Sequence, residues 1–297
     1  MLFVALSVAS PYFLSLENLT IVLRQSVFVV LMAVGMTFVI GMGGIDLSVG
    51  AILGLTGVAV ASLMQAGVNI YFAVVLALIL GAFIGAVNGV LIAYFRMPPF
   101  IATLGTMSLL RGVILVLTSG IPIYGLNYPE FQFFGQGYLG FIPVPVLFAV
   151  IIVALFSFIL YRTKLGRYTL SIGSNAVAAR LAGIRINRTK VTVYMISGLL
   201  CAVAGVLITS RSEAATPDAG MGLELNVIAA TIIGGTAMTG GRAVMFGTVV
   251  GAVLMTTISN GLNLLGVSPL FQQVAIGSFI VVAVAASSLS RRSSLPD

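Results

Sequence analysis

The chain alternates between long apolar stretches and short segments that contain glycine, proline or charge. A membrane span needs about 20 consecutive apolar residues, and ten stretches approach or reach that length. They cover residues 1–14, 21–42, 45–66, 70–95, 98–119, 141–161, 191–210, 225–238, 243–265 and 271–289. The pattern predicts an all-α, polytopic helical bundle in a membrane, built as a single domain over residues 1–297.

Two of these stretches are poor membrane spans. Residues 98–119 begin with two prolines and include Arg111, while residues 225–238 are short and run into Gly234 and Gly235. Such segments are typical of broken or re-entrant helices beside a translocation path. They are equally typical of short or tilted helices packed inside a bundle, and both interpretations stay open at this point.

The first stretch, residues 1–14, is interrupted by Pro11. It lacks the basic region and the small-residue cleavage site of a signal peptide. We therefore interpret it as a membrane segment, and we expect the sequence to begin inside the first helix.

Glycines recur at intervals of three or four residues within several stretches, as at Gly81, Gly85 and Gly89. Small residues at this spacing let membrane helices approach closely, because lipid provides no hydrophobic drive for helix association. The pattern predicts a tightly packed bundle and says nothing about function.

The charges are concentrated in one segment, residues 162–190. It holds half of the 14 Lys and Arg residues and no Asp or Glu; the seven are Arg162, Lys164, Arg167, Arg180, Arg185, Arg188 and Lys190. Short loops rich in Lys and Arg stay in the cytoplasm. Alternation then places both chain termini in the cytoplasm and the acidic segment 211–224 outside. This bias also explains the net charge of +7 without a nucleic-acid partner.

A short helix is predicted within this basic segment. Asn175 can cap a helix that runs from Ala176 to Leu181, and Gly183 can end it. So short a helix is unstable alone, and we expect a partner protein to hold it.

The sequence lacks the groups that most enzymatic chemistry requires. It has no histidine and one cysteine, Cys201, which excludes an internal disulfide and a His-based metal site. A phosphate-binding loop needs Lys after Gly, but Lys164 and Lys190 each follow Thr. No catalytic triad or pair of catalytic carboxylates is recognisable, so we predict no enzymatic activity, no catalytic residue and no bound metal.

Polar residues within the apolar stretches are candidates for a translocation path. Asp46 and Arg111 are the charged ones, and the neutral ones are Ser48, Asn88, Thr103, Thr106, Asn226, Asn260 and Asn263. Neutral amides and hydroxyls can bond the hydroxyl groups of an uncharged solute. Each candidate also has a structural alternative: Asp46 as a helix N-cap, Arg111 as a shielded charge, and the others as bonds between helices.

Several motifs together carry a family resemblance. They lie at residues 32–37, 44–50, 100–107, 110–112, 163–168, 173–175, 179–184, 234–236, 240–241 and 260–267, with Gly-Ile-Asp-Leu-Ser and Asn-Gly-Leu-Asn as the most characteristic. In this order and spacing the chain resembles the membrane permease subunit of ribose-type ABC sugar importers. The resemblance covers nearly the whole chain.

The resemblance implies the partners and the location. Such permeases form homo- or heterodimers in the bacterial inner membrane and sit on two cytoplasmic ATPase subunits, which bind ATP and Mg²⁺. They receive sugar from a periplasmic or lipid-anchored binding protein. The permease itself needs no cofactor, and it would carry ribose or a similar monosaccharide by alternating access.

The resemblance also implies that the basic segment couples the permease to the ATPase. The matching positions are Gly173, Asn175, Ala179, Arg180, Leu181 and Gly183. The sequence departs from the family where Ala176 stands in place of a common Glu, which leaves helix shape and Arg180 as the expected contacts. Three alternatives remain: an ion-coupled secondary transporter, an export permease of the same fold, and an importer of another polar solute such as a sugar-like signal molecule.

Overall fold

The computed structural model describes residue 7, residues 10–268 and residues 271, 274, 277 and 278. The predicted segments 1–14 and 271–289 lie largely outside these residues. The helices with defined bounds are α1 (Leu16–Gly41), α2 (Val49–Gln65), α3 (Ile70–Ala93), α4 (Pro99–Thr118), α5 (Pro129–Gln136), α6 (Val144–Arg162), α7 (Lys164–Ser174), α8 (Ala176–Leu181), α9 (Ile186–Ser212), α10 (Leu223–Ile233) and α11 (Met245–Leu264). A small antiparallel hairpin pairs β1 (Tyr138–Leu139) with β2 (Ile142–Pro143).

Six of these helices are long and apolar enough to cross a membrane: α1, α3, α4, α6, α9 and α11. The prediction of an all-α membrane bundle is therefore confirmed. Two further predicted spans, α2 and α10, are shorter apolar helices. The count of ten spans and the cytoplasmic position of both termini stay predictions.

Helices α1 and α9 form the centre of the bundle. Nearly every side chain of α1 from Ser26 to Gly41 is buried, and α9 packs against α1, α2 and α3. The outer helices α3, α4 and α6 instead leave large apolar side chains exposed, as at Phe83, Leu109 and Phe158. These faces suit contact with lipid, because lipid tails are as apolar as the exposed side chains.

The close approach that glycine spacing predicts is found between α3 and α9. A Cβ atom at Gly85 would overlap the Tyr194 carbonyl, and one at Gly89 would overlap the Val191 backbone. Gly198 of α9 in turn faces Gly81 and Gly85. The two helix backbones touch along this seam, which explains why α3 and α9 share the largest contact in the bundle.

The structure defines the bounds of three predicted segments. Helix α4 is unbroken from Pro99 to Thr118, because Pro98 is its N-cap and Pro99 its first residue, where the missing N–H is not needed. The span predicted from residue 45 becomes helical only at Val49, and the preceding residues run without regular structure. Helix α10 has 11 residues and is therefore only about 16 Å long, too short to cross a bilayer alone.

The two incomplete segments meet inside the bundle. Gly50, in the first turn of α2, lies against Gly220, in the chain that leads from α9 to α10, and both are buried. A Cβ atom on either glycine would overlap the carbonyl of the other. The acidic segment predicted to lie outside therefore folds back into the bundle before α10 begins.

Candidate functional site

The chain segment between α1 and α2 is held by the carboxylate of Asp46. Its Oδ1 accepts hydrogen bonds from the Ser48 backbone N–H at 3.0 Å and the Ser48 hydroxyl at 2.6 Å. Its Oδ2 accepts one from the Ser197 hydroxyl of α9 at 3.0 Å. Asp46 was expected as a possible N-cap of a helix from Leu47; the helix begins later with Ser48 at its N-cap, although Asp46 still accepts a backbone N–H.

A chain of polar side chains extends from Ser48 to two further helices. Asn88 of α3 donates to the Ser48 hydroxyl at 2.9 Å, and Thr106 of α4 donates to Oδ1 of Asn88 at 2.6 Å. Thr103 of α4 accepts the Leu47 N–H at 3.1 Å. The start of α2 is thus tied to α3, α4 and α9 at once.

This network brings together five of the nine path candidates, at positions 46, 48, 88, 103 and 106. All but Thr106 are fully buried. In this conformation they join helices, and their role in a path stays a prediction. Ser197 belongs to the same network and was not recognised from sequence, since a single serine within an apolar span has no local signature.

Arg111 of α4 reaches the segment that leads into α10. Its Nη1 donates to the Ala219 carbonyl at 2.7 Å. A cleft of about 380 Å³ lies beside it, lined also by Met107, Asp218, Met221 and Glu224. This path candidate therefore lies at a cleft that is also lined by two acidic side chains.

Helix α10 contributes one polar side chain to each of two clefts. Glu224 lines the cleft of Arg111, while Asn226 lines a second cleft of about 150 Å³ together with Gln25, Thr256 and Ser259. Within the described part of the chain, Oε2 of Glu224 and Oδ1 of Asn226 are buried oxygens without a hydrogen-bond partner. Buried acceptors of this kind normally have a donor; Oε2 of Glu224 lies beside Gly50, 2.6 Å from where a Cβ atom on that glycine would be.

Asn260 and Asn263 of α11 do not share one role. Asn260 is buried and exchanges two hydrogen bonds with Asn18 of α1, at 2.9 Å and 3.1 Å. Asn263, near the end of α11, is exposed. The two path candidates on α11 are therefore divided between a contact with α1 and the surface.

The basic segment 162–190 is largely helical. The prediction of a helix over Ala176–Leu181 is confirmed as α8, with the Asn175 side chain accepting the Ala178 N–H at 2.9 Å. Gly183 ends it in a left-handed conformation, φ +79°, and the Ile184 N–H bonds the Ala179 carbonyl at 3.0 Å. Both ends of α8 are thus fixed by local hydrogen bonds.

The coupling candidates divide into an inner and an outer set. Gly173 packs against the end of α1, where a Cβ would overlap the Gly41 carbonyl, and Ala179 is buried. Arg180 is exposed, and Leu181 is 86% exposed. Val177, one turn earlier on α8, is 72% exposed and was not recognised as a candidate. An apolar pair thus projects from a basic surface.

Comparison with known proteins identifies the family. Residues 18–284 match the family model of the permease component of branched-chain amino acid transport systems. The chain is 47% identical to the ribose import permease protein of Bacillus subtilis (strain 168) over 95% of this chain and 88% of the relative. It is 44% identical to the ribose import permease protein of Escherichia coli (strain K12), over 94% and 88%.

A third relative has a different name: the D-allose transport system permease protein of Escherichia coli (strain K12) is 41% identical over 94% of this chain and 86% of its own length. No solved structure matches. The relatives are transport permeases and not enzymes, which agrees with the absence of catalytic motifs. The chain is thus a multi-pass membrane protein that belongs to the family of ribose-type ABC transporter permeases.

Proposed function

We propose that this chain is the permease subunit of an inner-membrane ABC importer that carries ribose or a similar monosaccharide into the cytoplasm. The names of the relatives support a sugar. The observation that carries the proposal is α8, a capped helix that holds two exposed apolar side chains outside the bundle. Such a helix suits the cleft of a partner protein.

The partner at α8 is an ABC ATPase, which binds and hydrolyses ATP with Mg²⁺. The apolar pair Val177 and Leu181 enters the ATPase, and Arg180 lies at the rim of the contact. Movement of α8 reaches the bundle through Gly173, because this glycine packs directly against the end of α1 and against Gly241. Closure of the ATPase thereby shifts the helices around the solute path.

The solute passes beside α10 by alternating access between two permease subunits. Asn226 and Glu224 each line a cleft beside this helix, and sugar hydroxyls can donate to amide and carboxylate side chains. Arg111 and Asp218 add a donor and an acceptor at the larger cleft. A periplasmic or lipid-anchored binding protein supplies the sugar, so the path needs only weak contacts.

Co-purification tests this function. The tagged permease is isolated from its native membrane, associated proteins are identified by mass spectrometry, and the binding protein is screened against monosaccharides by thermal shift. We expect an ATPase, a binding protein and stabilisation by a pentose or hexose. Isolation of the permease without an ATPase, together with solute uptake by the permease alone, would indicate a secondary transporter instead. An ATPase without a binding protein would indicate an exporter.

A further inference from the structure

A positively charged cleft lies beside α8, away from the clefts at α10. It has a volume of about 460 Å³ and lies between the turn that joins α3 to α4, the helix α8 and the start of α9. Three cations line it, Arg96, Arg180 and Lys190, and none of its lining residues is acidic. The charges of Arg180 and Lys190 repel one another. An anion in the cleft would offset this repulsion.

The backbone at Arg96 provides an independent observation. Arg96 has φ +57°, a left-handed conformation that is strained for a residue other than glycine. Glycine would fit this turn without strain. An arginine held there against its backbone preference indicates that its side chain has a use at the cleft.

The position of the cleft identifies the kind of anion. The turn of residues 94–98 joins two helices that are long and apolar enough to cross the membrane, so it lies at the boundary between lipid and water. Tyr94 lines the cleft and is 56% exposed, and its neighbour Phe95 is 72% exposed. Exposed aromatic side chains at such a boundary typically lie among lipid headgroups. The adjoining faces of α3 and α4 are apolar and exposed, as at Val90 and Ile101.

We propose that the cleft formed by Arg96, Arg180 and Lys190 binds the phosphate headgroup of an anionic membrane lipid. The acyl chains lie along the exposed apolar faces of α3 and α4, and Tyr94 packs at the level of the headgroup. Basic clefts between membrane helices commonly bind anionic lipids. The bound lipid neutralises the cations behind α8 and leaves Val177 and Leu181 free to contact a partner.

The test uses the variant Arg96→Gly combined with Lys190→Gln. Glycine relieves the backbone strain at residue 96, so the substitution removes the charge without disfavouring the turn. Arg180 is left unchanged because it also lies in the contact proposed for the ATPase. Arg188→Gln is the matched control, since Arg188 is an exposed cation of the same segment and does not line the cleft. Ser119→Gly controls for strain relief alone, because Ser119 has φ +52°.

The full-length permease in detergent is titrated with dioleoyl phosphatidylglycerol, and adducts are counted by native mass spectrometry. We expect a tight adduct on the wild type and on both controls. Binding to the double variant should be about 30-fold weaker, which corresponds to about 1 kcal/mol for each of the two cations removed. Phosphatidylcholine should bind weakly to all four proteins. Equal binding of phosphatidylglycerol to the wild type and the double variant would overturn the proposal.

A parallel arm separates lipid from free phosphate. Inorganic phosphate at millimolar concentration should leave the phosphatidylglycerol adduct in place. Displacement of the lipid by inorganic phosphate would assign the cleft to a soluble anion and overturn the assignment to lipid. Neither arm of this experiment depends on an ATPase or on a transported sugar. The test of the lipid site can therefore fail or succeed independently of the test of the proposed function.

Discussion

The Ser197 hydroxyl in α9 donates a 3.0 Å hydrogen bond to Oδ2 of Asp46, so the irregular segment before α2 is fastened to the centre of the bundle. Asp46 and Ser197 are both fully buried. A carboxylate in such a place is stable only when its oxygens have donors, and here Ser48 and Ser197 supply them.

Removal of this carboxylate should destabilise the protein. In Asp46→Ala, the donors of Ser48 and Ser197 lose their acceptor, at about 1–3 kcal/mol for each unsatisfied group. Ser197→Ala leaves one buried oxygen of Asp46 without its donor and should cost about 1–3 kcal/mol, less than the loss of the whole carboxylate. Thermal denaturation in detergent, followed by circular dichroism, should rank the proteins as wild type, then Ser197→Ala, then Asp46→Ala. An unchanged transition for Asp46→Ala would show that the network contributes little to stability.

The seam between α3 and α9 has no space for even one added methyl group, so such an addition should destabilise the protein. Gly85→Ala places a Cβ against the Tyr194 carbonyl, and overpacking of this kind costs about 1–3 kcal/mol. Gly105→Ala in α4 is the matched control, because nothing lies within 4 Å of its new Cβ. Alanine favours helix over glycine by up to about 1 kcal/mol, so the control should melt at or above the wild-type temperature. Equal melting temperatures of Gly85→Ala and Gly105→Ala would contradict this close packing of α3 and α9.

The exposed pair on α8 should govern coupling to the ATPase. Val177→Ser combined with Leu181→Ser removes apolar surface that is already in water, so the permease should fold normally. Loss of about 1 kcal/mol of contact energy at each position should weaken ATPase binding at least tenfold and reduce the ATP hydrolysis that loaded binding protein stimulates. Arg188→Ala, a change at an exposed cation in the same segment, should leave both unchanged. Wild-type stimulation in the double variant would remove α8 from the coupling route.

Gly183, the left-handed glycine that ends α8, should also affect coupling to the ATPase, because it fixes the end of this helix. Gly183→Ala introduces strain of about 1 kcal/mol at φ +79° and no clash, because nothing lies within 4 Å of a Cβ there. Combined with Arg180→Ala, it should abolish stimulated ATP hydrolysis while the permease remains folded in the membrane. Normal stimulation in this double variant would contradict the assignment of residues 173–183 to coupling.

A substitution in the cleft beside α10 should reduce sugar transport more than it reduces coupling to the ATPase. Glu224→Gln keeps the shape of the side chain but replaces one acceptor oxygen by a donor amide. Sugar uptake should fall about tenfold, in line with the loss of a hydrogen bond to a ligand, while the ATPase remains bound. Glu130→Gln, at an exposed position of α5, should behave as the wild type. Full uptake by Glu224→Gln would place the solute path elsewhere.

The sequence predicts best those features whose causes are local. The bounds of α8 follow from Asn175 and Gly183, two capping residues within the same short segment, and the structure confirms them. Small-residue spacing likewise predicts the close contact of α3, although its partner helix cannot be inferred from spacing alone.

Features set by distant contacts could not be predicted. The start of α2 moves to Val49 because Asp46 bonds to Ser197 of α9, and hydropathy does not register such a bond. The acidic segment reads as an exterior loop, yet Gly220 packs against Gly50 and Glu224 lies at the first turn of α10. Only the folded chain brings these glycines together.

Uptake by reconstituted vesicles distinguishes an ABC importer from a secondary transporter. The permease is placed in liposomes alone, with its ATPase, and with ATPase and binding protein, and entry of labelled monosaccharide is measured with ATP present and without a proton or sodium gradient. We expect uptake only when all components and ATP are present, and we expect loss of that uptake in the double variant Val177→Ser, Leu181→Ser. Uptake by the permease alone, driven by an ion gradient, would contradict this expectation.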